Sequence, residues 1–320
     1  MQSVSTVDAL PVVFAGIFCV LALASIVGWL LKVRFAAHKP HAVIDALNGR
    51  IEAWWAMAIF VGVAVWIGAA GIVVLFGFIS FQCLREYISV TKTRISDHYA
   101  LIWSFYFFLP AQYVLTGLNQ EILFSVLIPV FAFLLLPMLS VLRGDTRHFL
   151  SRAAQVQWGL MICVYFLSHI PALMWLPVQQ EGPSSYGSNA LLIIFLMLVV
   201  QGSHVVQYTV DQLVGRHRVV SDISDIYTYE GLLARLASAA VIGAAMWWIT
   251  PFSVWQAGLI ALLLGWVGFS GKFILWAIKR DRGVKDWGLM NESHNGMLDV
   301  VDGISFAAPV FYYMVRYFWC

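Results

Sequence analysis

The amino-acid sequence predicts an all-α, polytopic integral membrane protein with about nine to ten transmembrane helices. Apolar residues make up 61% of the chain and charged residues only 11%, a composition that does not fit a soluble domain of this length. Apolar runs long enough to cross a hydrocarbon layer of roughly 30 Å recur from one end of the chain to the other. We therefore expect residues 1–320 to form a single membrane domain.

Eight apolar runs each predict one membrane span. They cover residues 11–31, 99–116, 120–142, 155–177, 189–209, 234–250, 253–278 and 304–319. A further apolar stretch, 54–84, is too long for one helix, and the segment Gly68-Ala-Ala-Gly71 in its middle is typical of a tight turn. Two short helices in this stretch bring the predicted count to ten.

The distribution of basic residues supports ten spans. If the N-terminus lies outside, every inner loop carries Lys and Arg, as the positive-inside rule requires. These residues are Lys32, Arg34, Lys39, Arg50, Arg85, Lys92, Arg94, Arg143, Arg147, Arg152, Arg216, Arg218, Arg235, Lys279, Arg280, Arg282 and Lys285. With a single span over 54–84, the first basic loop would face the side opposite to all later ones. The sequence therefore predicts a multi-pass protein of the cell inner membrane with these loops in the cytoplasm.

Acidic residues cluster in the last two predicted inner loops, which hold nine of the seventeen Asp and Glu. The nine are Asp211, Asp222, Asp225, Glu230, Asp281, Asp286, Glu292, Asp299 and Asp302. For any one of them, a solvated charge in a wet loop is an adequate explanation. As a group, carboxylates interleaved with Lys, Arg and His suit a phosphate substrate with divalent cations, since acids hold metal ions and bases neutralise phosphate oxygens.

The most specific motif is the segment from Lys279 to Asp302, which reads KRDRGVKDWGLMNESHNGMLDVVD. Its Lys-Arg, Lys-Asp, Gly, His, Gly and two final Asp positions fall, without a gap, at the spacing of the C-terminal signature of phosphatidate cytidylyltransferases. The segment from Gly215 to Gly231 is similar to a second segment of that family, Gly-Lys-His-Lys followed by Ile-Ser-Pro-x-Lys-Thr-Trp-Glu-Gly. The C-terminal region, 201–320, thus resembles the phosphatidate cytidylyltransferase (CDP-diacylglycerol synthase) family, while the helices of residues 1–200 agree with it mainly in hydropathy.

This resemblance implies a reaction, a cofactor and a set of site residues. An oxygen of phosphatidate would attack the α-phosphorus of CTP, and pyrophosphate would leave as CDP-diacylglycerol forms. The implied cofactor is Mg²⁺, alone or with a second monovalent or divalent cation. The implied catalytic residues are Lys279, Arg280, Lys285, Asp286 and His294; the metal ligands are Asp286, Asp299 and Asp302; and the substrate-binding residues are Tyr208, Arg216, Arg218, Ser224, Thr228, Glu230 and Lys272. The implied partners are CTP, phosphatidate, membrane lipids and a second subunit, as a homodimer or as a heterodimer with a homologous synthase, with no nucleic acid.

Several positions differ in charge from the family pattern. Lys272 and Leu275 stand where the family has acids, Trp276 stands where it has a hydroxyl, and His204 stands where it has an Asp. A Lys at a metal-ligand position exchanges an anion for a cation. A neutral imidazole at His204 can bind a metal ion but supplies no negative charge, so it recovers only part of the loss.

Two interpretations of these differences are open. In the first, the site is rebuilt around the remaining acids, and Lys272 supplies the charge of one metal ion. In the second, the chain is a catalytically degenerate homologue that acts as a binding or partner subunit of an active synthase, and Lys272 pairs with Asp299 or Asp302. A transporter is a third function class, although the sequence shows no internal repeat to support it.

Overall fold

The computed structural model describes residues 6–35, 42–91, 93–142, 144–178, 185–219, 227–284, 287 and 296–320. These residues contain ten helical elements, in the order that the apolar runs predict. They are α1 (Thr6–Phe35), α2 (Ala42–Ile67), α3 (Ala69–Ser89), α4 (Ile95–Gly117), α5 (Glu121–Val141), α6 (Phe149–Trp175), α7 (Ser185–Leu213), α8 (Tyr229–Ala245), α9 (Val254–Arg282) and α10 (Met297–Trp319).

The all-α, polytopic membrane fold is confirmed. Among the described residues, eight helices are long and apolar enough to cross a membrane, and α2 adds a shorter apolar segment, Ile51–Ile67. The remaining helix, α8, has 17 residues. The ten helical elements thus follow the order of the ten predicted spans, and eight of them are long and apolar enough to cross a membrane.

The break that divides the apolar stretch 54–84 lies at Gly68. Its φ of 109° is a backbone angle that residues with a Cβ rarely adopt. Helix α2 ends just before Gly68, and α3 begins just after it. The prediction of two helices here is confirmed. However, α2 is not short, because it begins at Ala42, well before the apolar run.

Helices α7 to α10 pack closely, and small residues allow their backbones to approach. A Cβ added to Gly243 of α8 would lie 2.6 Å from the carbonyl oxygen of Ala257 on α9. Close approach through glycine and alanine is a common way for helices to associate in membranes, where the hydrophobic effect does not drive them together. Glycines also lie between α9 and α10, where a Cβ added to Gly268 would lie 3.3 Å from the carbonyl oxygen of Gly303. These two helices carry the motif residues.

Two arginines expected in inner loops are buried. Arg152 lies in α6, is 5% exposed, and forms an ion pair with the buried Asp97 at 3.1 Å. Arg235 lies in α8 and is fully buried. A charged side chain inside such a bundle is costly unless its charge is compensated. Asp97 compensates Arg152, whereas Arg235 has no ion pair with a carboxylate among the described residues and therefore needs a structural or functional reason.

Candidate functional site

Helices α9 and α10 run antiparallel and bring the motif residues together. Helix α9 is capped by Gly283, whose φ of 72° suits a left-handed C-cap, and α10 begins after Gly296. Asp299 and Asp302 are three residues apart in α10 and therefore project from neighbouring positions on one face. Lys272 and Lys279 are seven residues apart on α9, about two turns. Each lysine meets one of the acids.

Lys272 pairs with Asp302. Its Nζ lies 3.3 Å from Oδ1 and 3.0 Å from Oδ2, so the ammonium group is shared between both carboxylate oxygens. The backbone N–H of Gly303 also donates to Oδ1, at 2.6 Å. The side chains of Lys272 and Asp302 are only 13% and 10% exposed. The acid that was predicted to bind a metal is therefore bound to a cation of the chain itself.

Lys279 pairs with Asp299, through one carboxylate oxygen. Its Nζ donates to Oδ1 of Asp299, and the backbone N–H of Trp287 lies 3.5 Å from Oδ2. The ammonium group also lies 5.7 Å from the centre of the Trp287 ring, within range of a cation–π interaction. We call the two ion pairs, Lys272–Asp302 and Lys279–Asp299, the α9–α10 centre.

The end of α3 supports this centre from the N-terminal half of the chain. Glu86 accepts hydrogen bonds from the backbone N–H groups of Met297 and Leu298, at 2.9 Å each, and so caps α10 with both of its oxygens. The next residue, Tyr87, stacks on Trp287 with ring centres 5.6 Å apart. A carboxylate at a helix N-terminus satisfies free N–H groups and is favoured by the helix dipole.

Arg235 adds a third buried cation next to the centre. Its Nη1 donates to Oε1 of Gln207 at 3.0 Å, while its Nε has no hydrogen-bond partner. The charge of Arg235 predicted a loop position for it, and Glu86 is not among the predicted site residues. Neither residue gives a local signal for its role, because both act through contacts with distant parts of the chain.

The described parts of the second family-like segment, 215–219 and 227–231, lie side by side next to the start of α8, where the backbone N–H of Val219 donates to the carbonyl oxygen of Tyr227 at 3.0 Å. Thr228 caps α8, with its hydroxyl accepting from the N–H of Gly231, and both its N–H and its hydroxyl donate to Asp211. Glu230 binds His217 at 2.6 Å, and this bond is the main reason why the pKa of Glu230 falls to about 2. These side chains hold the two described parts together. Thr228 and Glu230, predicted to bind substrate, thus have structural partners here.

The other predicted site residues are scattered or lie outside the described residues. Arg216, Arg218 and Arg280 are exposed, and Tyr208 is half-buried on α7. Lys285, Asp286, His294 and Ser224 lie outside the described residues. Of the positions that differ in charge from the family, Leu275 is buried and Trp276 packs edge-on against Tyr227, with ring centres 6.3 Å apart.

The described residues of the α9–α10 centre do not fit a divalent cation. Mg²⁺ and Ca²⁺ need several oxygen ligands, whereas Asp299 and Asp302 each accept an ammonium group already. Within the described part of the chain, no three His, Cys, Asp or Glu side chains are grouped as a metal site would require. The arrangement instead presents buried cations, which suit phosphate oxygens.

The protein family and the relatives that this chain matches agree with the resemblance of its C-terminal motif. Residues 48–318 match the model of the cytidylyltransferase family. The chain is 34% identical over 309 residues to "Uncharacterized protein YnbB" of Escherichia coli (strain K12), covering 95% of this chain and 97% of that protein. It is 31% identical over 149 residues to the phosphatidate cytidylyltransferase of Synechocystis sp., covering 46% of this chain and 50% of that enzyme. The phosphatidate cytidylyltransferase of Staphylococcus saprophyticus is 30% identical over 120 residues, 37% of this chain and 46% of the enzyme. The matches with the two named enzymes thus span about half of their length.

Proposed function

Because this chain belongs to the cytidylyltransferase family, we propose that it transfers the cytidylyl group of CTP to a phosphatidate lipid in the membrane. A phosphatidate oxygen forms a new bond to the α-phosphorus of CTP. The bond from that phosphorus to the oxygen bridging to the β-phosphorus breaks, and pyrophosphate leaves with the electron pair. The products are CDP-diacylglycerol and pyrophosphate.

The observation that carries this proposal is the meeting of the signature residues on α9 and α10. Such a transfer depends mostly on positioning the reactants and on neutralising the charge of the phosphate oxygens. Lys272 and Lys279 supply that positive charge, and Asp302 and Asp299 hold the two ammonium groups in place. No covalent intermediate with the protein is needed. We propose that the centre faces the cytoplasm, where CTP is found.

A radiolabelled CTP assay tests the proposal. The purified protein in lipid nanodiscs containing phosphatidate, supplied with CTP and Mg²⁺, is expected to form labelled CDP-diacylglycerol. Asp299→Asn should abolish product formation, because it removes the charge that orients Lys279. Asp281→Asn is the matched control, since Asp281 lies on the same helix as Lys279, is 72% exposed and pairs only with the neighbouring Arg282 among the described residues. Equal loss in both variants, or no product from the unmodified protein, contradicts the proposal.

A second function is favoured by one observation, the pairing of Lys272 with Asp302. This is the pairing expected of a degenerate homologue in which a lysine fills a former metal position. Such a protein would act as a binding or partner subunit of an active synthase. An absence of cytidylyl transfer by the chain alone, together with co-purification of an active synthase from its own membranes, would support this second function.

A further inference from the structure

Among the described residues, the α9–α10 centre and the adjoining Arg235 contain more buried cations than buried acids. Lys272, Lys279 and Arg235 supply three positive charges, whereas Asp299 and Asp302 supply two negative charges. Among the described residues, Arg235 makes no ion pair with a carboxylate, although it is fully buried. A buried charge without a counter-charge is costly, so a net positive centre of this kind favours an anion.

Arg235 reaches this centre through a gap made by two glycines. A Cβ added to Gly268 would lie 2.7 Å from Nη2 of Arg235, and one added to Gly303 would lie 3.4 Å from the same atom. Gly268 is one helical turn before Lys272, and Gly303 directly follows Asp302. The guanidinium group therefore lies where α9 and α10 meet, beside the Lys272–Asp302 pair.

Asp302 is surrounded by donors. Lys272 contacts both of its oxygens and the N–H of Gly303 donates to Oδ1. A divalent cation at the same carboxylate would have to displace the ammonium group, and the displaced charge would stay buried next to Arg235 and the metal. Like charges in a low-dielectric interior repel strongly, so the ammonium group and the metal exclude each other.

Resting on the proposed function, we infer that Lys272 and Arg235 take the place of a divalent cation beside Asp302. The α9–α10 centre is then a site for a phosphate group that requires no metal ion bound to Asp299 or Asp302. Lys272 contacts the phosphate with its compact ammonium group. Arg235 acts indirectly, because its charge beside the Lys272–Asp302 pair keeps the net charge of the centre positive. The phosphate belongs either to CTP or to the lipid.

The first part of this inference is that Lys272 and Arg235 take the place of a divalent cation beside Asp302. Metal binding tests this part without measuring activity. Mn²⁺ bound to the protein in nanodiscs is counted by electron paramagnetic resonance. The unmodified protein and Asp302→Asn are expected to retain the same amount of Mn²⁺. Lys272→Asp should gain a Mn²⁺ site, which is lost again when Asp302→Asn is added.

Arg282→Asp, which places an acid at the end of α9 beside Asp281, is the matched control and should gain no site. Mn²⁺ that is bound by the unmodified protein and lost in Asp302→Asn overturns the inference.

Ligand binding tests the second part of the inference, which is that the α9–α10 centre binds a phosphate group without a metal ion on Asp299 or Asp302. The ligand that this centre binds, labelled CTP or phosphatidate, should change in affinity by less than about threefold when Mg²⁺ is replaced by a chelator, since the chain supplies its own cations. Arg235→Met should weaken the binding of one phosphate ligand by about tenfold or more, because the positive charge next to that ligand falls from three to two. Loss for CTP assigns the site to the nucleotide, and loss only for phosphatidate in the nanodisc assigns it to the lipid.

Controls separate folding from binding. Arg316→Met removes an arginine at the far end of α10, where Arg316 pairs with Glu121, and should leave both ligands bound. Arg235→Lys keeps the charge, so it should retain most of the binding if Arg235→Met fails to fold. The inference is overturned by unchanged binding of both ligands in a folded Arg235→Met, or by loss with the chelator of the ligand to which the Arg235→Met result assigns the site. If the protein makes no CDP-diacylglycerol, the proposed function fails, yet the Mn²⁺ result still decides whether Lys272 replaces the metal.

Discussion

Lys272 lies between the two side-chain oxygens of Asp302, 3.3 Å from Oδ1 and 3.0 Å from Oδ2. The two residues lie on different helices, so this buried ion pair joins α9 to α10. Removing one partner of a buried ion pair leaves the other charge uncompensated, which typically costs about 3–5 kcal/mol. Replacing both partners removes this penalty.

We therefore expect a strongly non-additive double-mutant cycle. Lys272→Met and Asp302→Asn should each lower the free energy of unfolding, and the double variant should be more stable than the sum of the two losses predicts. Denaturant titration of the protein in mixed micelles measures these energies. The pair of Asp281 and Arg282, in which the acid is exposed, is the control, because surface ion pairs contribute about 0–1 kcal/mol. Additive losses at Lys272 and Asp302 would show that the pair does not stabilise the fold.

The cap that Glu86 provides gives a second prediction. Glu86→Ala should cost about 0.5–2 kcal/mol, the usual range for losing a helix N-cap, and Glu86→Gln should cost less because one oxygen still accepts. Backbone hydrogen exchange should rise at the start of α10 in the Ala variant. Glu52→Gln on α2, at an exposed position, should leave exchange in α10 unchanged. The prediction is wrong if both substitutions of Glu86 leave the exchange of Met297 and Leu298 unaltered.

The fold was predictable because hydropathy is a local property. Long apolar runs give the order of the helices, and the distribution of the flanking charges requires a break in the stretch 54–84, which the structure places at Gly68. The start of α2 at Ala42 was not predictable in this way, because a helix can continue past the apolar run that spans the lipid.

The candidate site was predictable only in part. A fixed motif spacing identified Lys279, Asp299 and Asp302, and the charge change drew attention to Lys272. The choice of partner, Asp302 rather than Asp299, depends on how α9 and α10 pack. Contacts such as that of Glu86 with Met297 join residues more than two hundred positions apart, and no local pattern records them.

Two glycines of the α8–α9 contact should respond differently to alanine. A Cβ at Gly243 would lie 2.6 Å from the backbone oxygen of Ala257, so Gly243→Ala should destabilise the protein by about 1–3 kcal/mol. A Cβ at Gly258 would have its nearest neighbour, the backbone oxygen of Ala240, at 3.5 Å. Gly258→Ala should therefore be neutral or stabilising by up to about 1 kcal/mol. Thermal denaturation of the two variants decides, and equal losses would contradict the packing at Gly243.

The last prediction concerns which loops face the cytoplasm. In the ten-span arrangement, Asp286 lies on the cytoplasmic side of the membrane and Ser184 on the opposite side. Neither position is among the described residues. Two exposed positions in the described part of the chain repeat the test, since Arg147 between α5 and α6 should lie inside and Asn119 between α4 and α5 outside.

Single cysteines at these four positions, in a variant whose own cysteines are replaced, can be labelled with a reagent that does not cross the membrane. The own cysteines are Cys19, Cys83, Cys163 and Cys320. Intact cells should label the cysteines at 119 and 184, whereas those at 147 and 286 should react only after the membrane is opened. Labelling of both 184 and 286 in intact cells would rule out the ten-span arrangement. Reversal of all four would keep the number of spans and invert the protein, which would place the α9–α10 centre on the side away from cytoplasmic CTP and thereby contradict the proposed reaction.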